Sequence, residues 1–176
     1  MKSLSKEQLR LKSREACEKI CATPEFQRAS KMMMFLSLEM EVDTSYAIEK
    51  AFQAGKMVLV PSIDWENQKL IPVVLPSLNC EMVYDRYDLR HPAQAETVAV
   101  SEVELIVVPG MGFDLKGNRL GRGGGFYDRL LSHSSFRGVN CGLALEEQII
   151  EEVPVLDHDV PLDMLVTDQA VRRFGK

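Results

Sequence analysis

An α/β fold built on a mostly parallel sheet is predicted by three features: short apolar runs without alternation, helix-period segments between them, and a long glycine-rich loop after the most apolar run. The runs cover residues 32–36, 57–61 and 105–109, each far shorter than the ~20 residues that span a bilayer. Taken in order, Ser5 caps a helix to about Cys21, with Glu7 two residues on and Leu9, Cys17 and Ile20 on one stripe. A strand at 32–36 follows, then a helix from Thr44 through Ala54 with Ala47, Ile48, Ala51 and Phe52 inward and Gly55 as its stop. The next strand, 57–60, should end at Pro61, and 65–75 with its internal Pro72 suits an edge strand or hairpin. Residues 76–98 carry scattered Pro, Asn and Asp and suggest loops around a short strand or two. Residues 105–109 form the central strand. A helix over about 125–132, a strand at 139–145, a helix at 146–152 and a last strand at 164–167 complete the pattern. In such folds ligands gather outside the strands' carboxyl ends, where the loop after Pro109 begins.

Composition narrows the function classes. A chain of 176 residues, 45% hydrophobic, fills one core without disulfides or a structural metal, so a single domain over 1–176 is expected. The charged N-terminal stretch lacks a secretory signal, which makes cytoplasm the expected compartment. Cys17, Cys21, Cys80 and Cys141 show no zinc-ligand spacing. A net charge of −5 argues against a nucleic-acid surface, and the short apolar runs argue against a membrane partner. Any phosphate site must therefore be local.

The loop that could hold phosphate covers residues 109–129 and contains seven of the eleven glycines. Glycines let backbone N–H groups converge on anionic oxygens, and the following helix adds its positive end. Arg119 and Arg122 supply guanidinium forks that stay charged and can grip phosphoryl oxygens bidentately. Gly112 and Gly117 have the Walker gap, but Asn118-Arg119 follows instead of Lys-Ser/Thr, and there is no G-x-G-x-x-G, so this is a different phosphate loop. A surface hairpin with glycines for its turns is the competing reading. Asp128 and Asp159 are the candidate magnesium carboxylates, since that ion takes one or two carboxylates together with phosphate oxygens and water.

Read as Pro-Gly-x-Gly-Phe-Asp-x-x-Gly-x-Arg-Leu-Gly-Arg-Gly-x-Gly-Phe-Tyr-Asp, the loop resembles the signature of the 5-formyltetrahydrofolate cyclo-ligase family. Lys6-Glu7-Gln8-Leu9-Arg10 is similar to the family's N-terminal K-x-x-L-R, and Pro24 with Ala29-Ser30 to the segment before its first strand. Glu41 with Thr44, His158-Asp159 and Val166-Thr167-Asp168 match further family positions. His91-Pro92 departs from it, standing where the family usually carries Glu-Pro.

The resemblance implies a three-layer, Rossmann-like fold and an ATP- and Mg²⁺-dependent cyclisation of 5-formyltetrahydrofolate to 5,10-methenyltetrahydrofolate. Carried over by position, Lys6, Arg10, Arg119, Gly121, Arg122, Gly123, Gly124, Gly125, Phe126, Tyr127 and Asp128 would hold ATP. Leu36, Glu41, Arg122, Gly123, Gly124, Gly125 and Phe126 would line the folate, and Asp128 and Asp159 would bind Mg²⁺. Arg122 and Lys6 are the expected catalytic charges. No protein nucleophile is needed, and His133 and His158 suit loop or capping roles better than acid–base ones. The expected partner is a small molecule, with the chain a monomer or weak homodimer. Rival readings are a family paralogue that uses the same loop on another metabolite, and a non-catalytic nucleotide- or folate-binding protein.

Overall fold

The computed structural model describes residues 4–39, 41–85 and 89–175, so the extreme N-terminus and the middle of 76–98 lie partly outside the described residues. In chain order the elements are α1 (Lys6–Cys21), α2 (Pro24–Arg28), β1 (Lys31–Met33), α3 (Ser45–Gln53), β2 (Met57–Asp64) and β3 (Lys69–Val74). They continue with β4 (Met82–Tyr84), β5 (Arg90–Pro92), β6 (Leu105–Val108), β7 (Gly112–Phe113), β8 (Arg119–Leu120) and α4 (Phe126–Leu131). The last three are β9 (Val139–Leu143), β10 (Met164–Val166) and β11 (Val171–Arg173). Seven strands form one sheet in the order β11-β10-β9-β6-β1-β2-β3. Its five inner strands are parallel, and β3 and β11 close the two edges in antiparallel sense. No helix among the described residues is long and apolar enough to cross a membrane.

The apolar runs lack alternation because both faces of the sheet are covered. Met32, Met34, Val58, Val60, Leu105 and Val107 pack into a cluster with Ala16, Ile20, Phe26 and Ile48 of α1, α2 and α3. Their neighbours Met33, Leu59, Ile106 and Val108 pack on the opposite side with Phe113 and with Leu130 and Leu131 of α4. This is the expected three-layer α/β arrangement, with one face covered mainly by helices and the other by a single short helix and the loop after β6.

The opening helix is anchored as the sequence suggests. Ser5 Oγ accepts from the Gln8 N–H at 3.2 Å while Gln8 Oε1 accepts from the Ser5 N–H at 2.9 Å, a reciprocal cap that satisfies two otherwise orphan donors. Four local expectations change. Pro61 does not end β2, because it lies directly opposite Pro72 of β3. The neighbouring Val58–Leu75 pair carries a ladder bond (Leu75 N to Val58 O, 2.9 Å), so the alternation puts both prolines at a position needing no N–H. The helix expected over 146–152 is only a turn at Glu146–Gln148. Its N–H groups are drawn elsewhere, Glu146 to Asp168 (2.7 Å) and Ile150 to the Phe113 carbonyl (2.8 Å), and just past it the Val153 N–H goes to Asp114 (3.1 Å). The short α2 and the edge strand β11 were not expected. The first strand ends at Met33, although Met34, Phe35 and Leu36 stay buried beyond it.

Candidate active site

The strand order places a crevice. From β1 the chain runs to β2 on one side, and from β6 it runs to β9 and β10 on the other, so the loops leaving the adjacent carboxyl ends of β1 and β6 diverge. Leu36 and Glu41 lie in the first of these loops and the glycine-rich stretch forms the second. Glu41 is held by the Leu38 N–H, which donates to Oε2 at 3.0 Å, and its Oε1 accepts from Arg122 Nη2 at 3.1 Å. An ion pair thus spans the crevice between residues 81 positions apart. Glu41 is largely covered while the Arg122 side chain is 61% exposed, so the guanidinium has donors left for an anion.

The second loop starts as a β7–β8 hairpin built on Asp114. Its buried carboxylate accepts from the N–H groups of Lys116 and Asn118 (both 2.9 Å), from Asn118 Nδ2 (2.9 Å) and from the Val153 N–H (3.1 Å). Burial alone would raise the Asp114 carboxyl, but these bonds hold it below its ordinary value. Gln148 Nε2 donates to the Gly110 carbonyl at 2.8 Å and fixes the hairpin's base. After Leu120 the chain opens: Gly123 has φ +86°, with no atom within 4 Å of where a Cβ would stand, and Gly125 at φ +61° leads into α4.

At the start of α4, Asp128 and Arg119 form a covered ion pair, with Nη2 at 3.0 Å from both carboxylate oxygens. The Val160 N–H donates to Asp128 Oδ1 at 3.3 Å, which brings the Asp159 segment beside Asp128. Asp159 itself closes a local turn through the Leu156 N–H at 2.7 Å. Tyr127 is partly buried near Glu41 and Arg119, with its hydroxyl covered. Burial pushes its phenol up, Glu41 adds to this and Arg119 opposes it, and the hydroxyl has no hydrogen-bond partner among the described residues. Phe126 meets the edge of Trp65 at 5.5 Å, and Trp65 leads into a recess of about 150 Å³ lined also by Pro61, Ile63, Leu89 and His91. The buried Nδ1 of His91 has no hydrogen-bond partner among the described residues, and Ser62 and Asp85 also line the recess, so its wall is mixed apolar and polar.

Of the expected residues, Glu41 and Arg122 meet directly, as do Arg119 and Asp128, and Gly121 and Gly124 lie on the open stretch between them. Arg119 is 6% exposed and bonds Asp128 through Nη2, while its buried Nε has no hydrogen-bond partner among the described residues, so it backs the loop and is not an open fork. Lys6 and Arg10 are exposed on successive turns of α1. Among the described residues no three His, Cys, Asp or Glu side chains gather as a metal cage. The Asp128 and Asp159 carboxylates keep free lone pairs, which suits an ion completed by phosphate oxygens and water. Sequence reasoning gave no role to Arg129, whose Nε reaches the Gln68 carbonyl (2.8 Å) and whose Nη2 reaches that of Gly124 (2.9 Å), tying the open stretch to the β2–β3 turn. Trp65 and the recess carry no local motif and were missed as well.

Comparison with known proteins places this geometry. The 5-formyltetrahydrofolate cyclo-ligase family profile matches residues 1–168. The Escherichia coli K12 5-formyltetrahydrofolate cyclo-ligase is 30% identical over 173 residues, covering 97% of this chain and 95% of the relative. The mouse protein of the same name is 29% identical over 180 residues, covering 97% and 89%. The NMR structure of Aquifex aeolicus 5,10-methenyltetrahydrofolate synthetase superposes with a TM-score of 0.84 at 31% identity, over 98% of this chain and 86% of that one. Agreement of motif, strand order and near full-length similarity shows that this chain belongs to the 5-formyltetrahydrofolate cyclo-ligase family.

Proposed function

We propose that this chain cyclises 5-formyltetrahydrofolate to 5,10-methenyltetrahydrofolate with ATP and Mg²⁺, releasing ADP and phosphate. The observation that carries this reading is the Glu41–Arg122 pair across the crevice, an acceptor for the folate ring's N–H groups beside a donor for phosphoryl oxygens. ATP and Mg²⁺ supply the activation that makes the formyl oxygen a leaving group. Attack by the neighbouring folate N10 is then intramolecular, so the protein's task is positioning and charge stabilisation. Arg122, exposed on a glycine-flanked stretch, is the donor for the moving phosphoryl group, and Lys6 and Arg10 hold the nucleotide from α1. Asp128 and Asp159 are the residues for Mg²⁺, with Arg119 fixing Asp128 in place. Leu36 and Phe126 pack on the folate, and the recess beyond Trp65 takes part of its length, with His91 Nδ1 as a hydrogen-bonding group. The protein works as a cytoplasmic monomer or weak homodimer on a small-molecule substrate.

The test is the growth of methenyltetrahydrofolate absorbance when protein meets 5-formyltetrahydrofolate, with ATP and Mg²⁺ omitted in turn. Product that requires both is the expected result. Silence while calorimetry still detects ATP would move the assignment to a paralogue acting on a different acceptor.

A further inference from the structure

The helix α1 touches segments on both sides of the crevice through two consecutive residues. Lys12 Nζ lies 2.7 Å from Glu147 Oε1 and 2.8 Å from Asp168 Oδ2, on the segments leaving β9 and β10. Ser13 Oγ accepts from the Asp43 N–H at 3.0 Å, two residues from Glu41 on the segment leaving β1. The Asp168 side chain is only 3% exposed, and its second oxygen accepts from the Glu146 N–H at 2.7 Å. Gln148, next to Glu147, is the residue that holds the Gly110 carbonyl at the base of the glycine-rich loop. A continuous set of contacts therefore runs from α1 through the Glu146–Gln148 turn to that loop.

The direction of α1 follows from a second contact. Arg173, opposite the first residue of β10, pairs with Glu25 of α2 at 2.9 Å, whereas Lys12 reaches Asp168 beyond the last residue of β10. From Lys12 to Glu25 the chain thus travels from the carboxyl end of β10 to its amino end. Followed backward from Lys12, six further residues at ~1.5 Å each carry Lys6 about 9 Å further in the same direction, on the carboxyl-end side of the sheet where the crevice opens.

We propose that Lys12 is a positioning residue for nucleotide: its bridge to Glu147 and Asp168 fixes the first turns of α1 in register with the glycine-rich loop. This rests on the reading that Lys6 and Arg10 hold ATP. Lys12 does not touch the nucleotide; without the bridge, Lys6 and Arg10 stay on a folded helix whose angle to the loop is no longer set. The effect belongs on nucleotide affinity and not on folate binding, because Ser13 still braces the Glu41 side.

Calorimetry with a non-hydrolysable ATP analogue and Mg²⁺, together with steady-state kinetics and thermal unfolding, tests this on Lys12→Met and Lys12→Arg. In Lys12→Met the analogue's Kd and the KM for ATP should rise about tenfold, while the KM for 5-formyltetrahydrofolate stays within about twofold. Lys12→Arg, which can still reach both carboxylates, should restore most of the loss. Should Lys12→Met not stay folded, Glu147→Gln, which keeps the Asp168 contact, should show a smaller weakening in the same direction. Unchanged analogue affinity in a folded variant, or equal losses for nucleotide and folate, would overturn the proposal and leave Lys12 merely structural. A wild-type protein that binds the analogue, loses it in Lys12→Met and yet never turns over 5-formyltetrahydrofolate would support the brace and remove the folate reading. A wild type that binds no nucleotide overturns both.

Discussion

From Gly110 to Leu120 the loop after β6 is tied down at almost every turn, whereas from Gly121 to Gly125 it is held chiefly by two side-chain bonds, Arg122 to Glu41 and Arg129 to Gly124. The first half has a buried carboxylate at its centre, a strand pairing along its length and Gln148 at its base. In the second, Gly123 faces open space, Gly121, Gly124 and Gly125 lie against the side chains of Arg119, Phe126 and Arg129, and one charged side chain reaches across the crevice. Glycine is dense in both halves, and each half has both close approaches and a positive φ, at Gly110 and Gly117 in the hairpin and at Gly124 and Gly123 in the tip. In the hairpin it makes room: a Cβ on Gly110 would stand 2.6 Å from the Phe113 ring. In the open stretch Gly123 and Gly125 take a backbone path that L residues avoid, the kind of path that can turn N–H groups toward an anion. A rigid stem carrying an open tip is what a phosphate loop needs if its charge must be aimed without being buried.

That division predicts which kind of damage each half shows. The largest effect belongs to the tip. Arg122→Ala should lower kcat about 10²- to 10³-fold, the scale for removing one preorganised donor to transition-state charge, with the melting temperature unchanged because the side chain is exposed. Equal kinetics in that variant would remove Arg122 from the chemistry. The stem should fail in the opposite way. Asp114→Ala strands the N–H groups of Lys116, Asn118 and Val153 and should cost about 3 kcal/mol of stability, with near-normal turnover in the fraction that folds. Because the folded Asp114 carboxyl lies below its ordinary value, its contribution is full above the ordinary carboxylate range and is lost as pH falls through the lower folded value. Urea unfolding across acid pH should therefore be flatter in Asp114→Ala than in wild type. Parallel curves would show that Asp114 does not couple folding to protons.

The same contrast, between local and distant partners, separates what the amino-acid sequence discloses from what it hides. The strands of the inner sheet are legible because a strand buried on both faces writes itself as a continuous apolar run, as Leu105 to Val108 do. The helix α1 is legible because its cap and stripe are local. Residues 146–152 are not, since the N–H groups of Glu146 and Ile150 answer to Asp168 and Phe113, and that of the next residue, Val153, to Asp114, partners supplied by the fold and not by neighbours. The site divides likewise. The glycine-rich loop stands out by its composition as a candidate phosphate loop, and family resemblance supplies Leu36, Glu41, Lys6 and Arg10. That Arg119 is buried against Asp128 while Arg122 stays open has no signature in the sequence, because both are arginines three residues apart on the same loop. Burial alone separates them.

The smallest expected effects come from a matched pair of glycine substitutions, one in each half. Gly110→Ala forces its methyl group against Phe113, and Phe113 is fully buried on the sheet, so the ring has little space to yield. Overpacking of this kind should cost about 1–3 kcal/mol of stability and leave the KM for ATP near normal. Gly123→Ala meets no atom at all, and its penalty is the φ of +86°, worth about 1–2 kcal/mol where the backbone is held to it. On an exposed tip the backbone can shift to relieve that strain, so the melting temperature should hardly move. Instead, the path of the Gly121–Gly125 N–H groups should change, and the KM for ATP should rise several-fold. A Gly123→Ala protein that melts early but binds nucleotide normally would mean the tip is part of the stem, and the division between the two halves would fall.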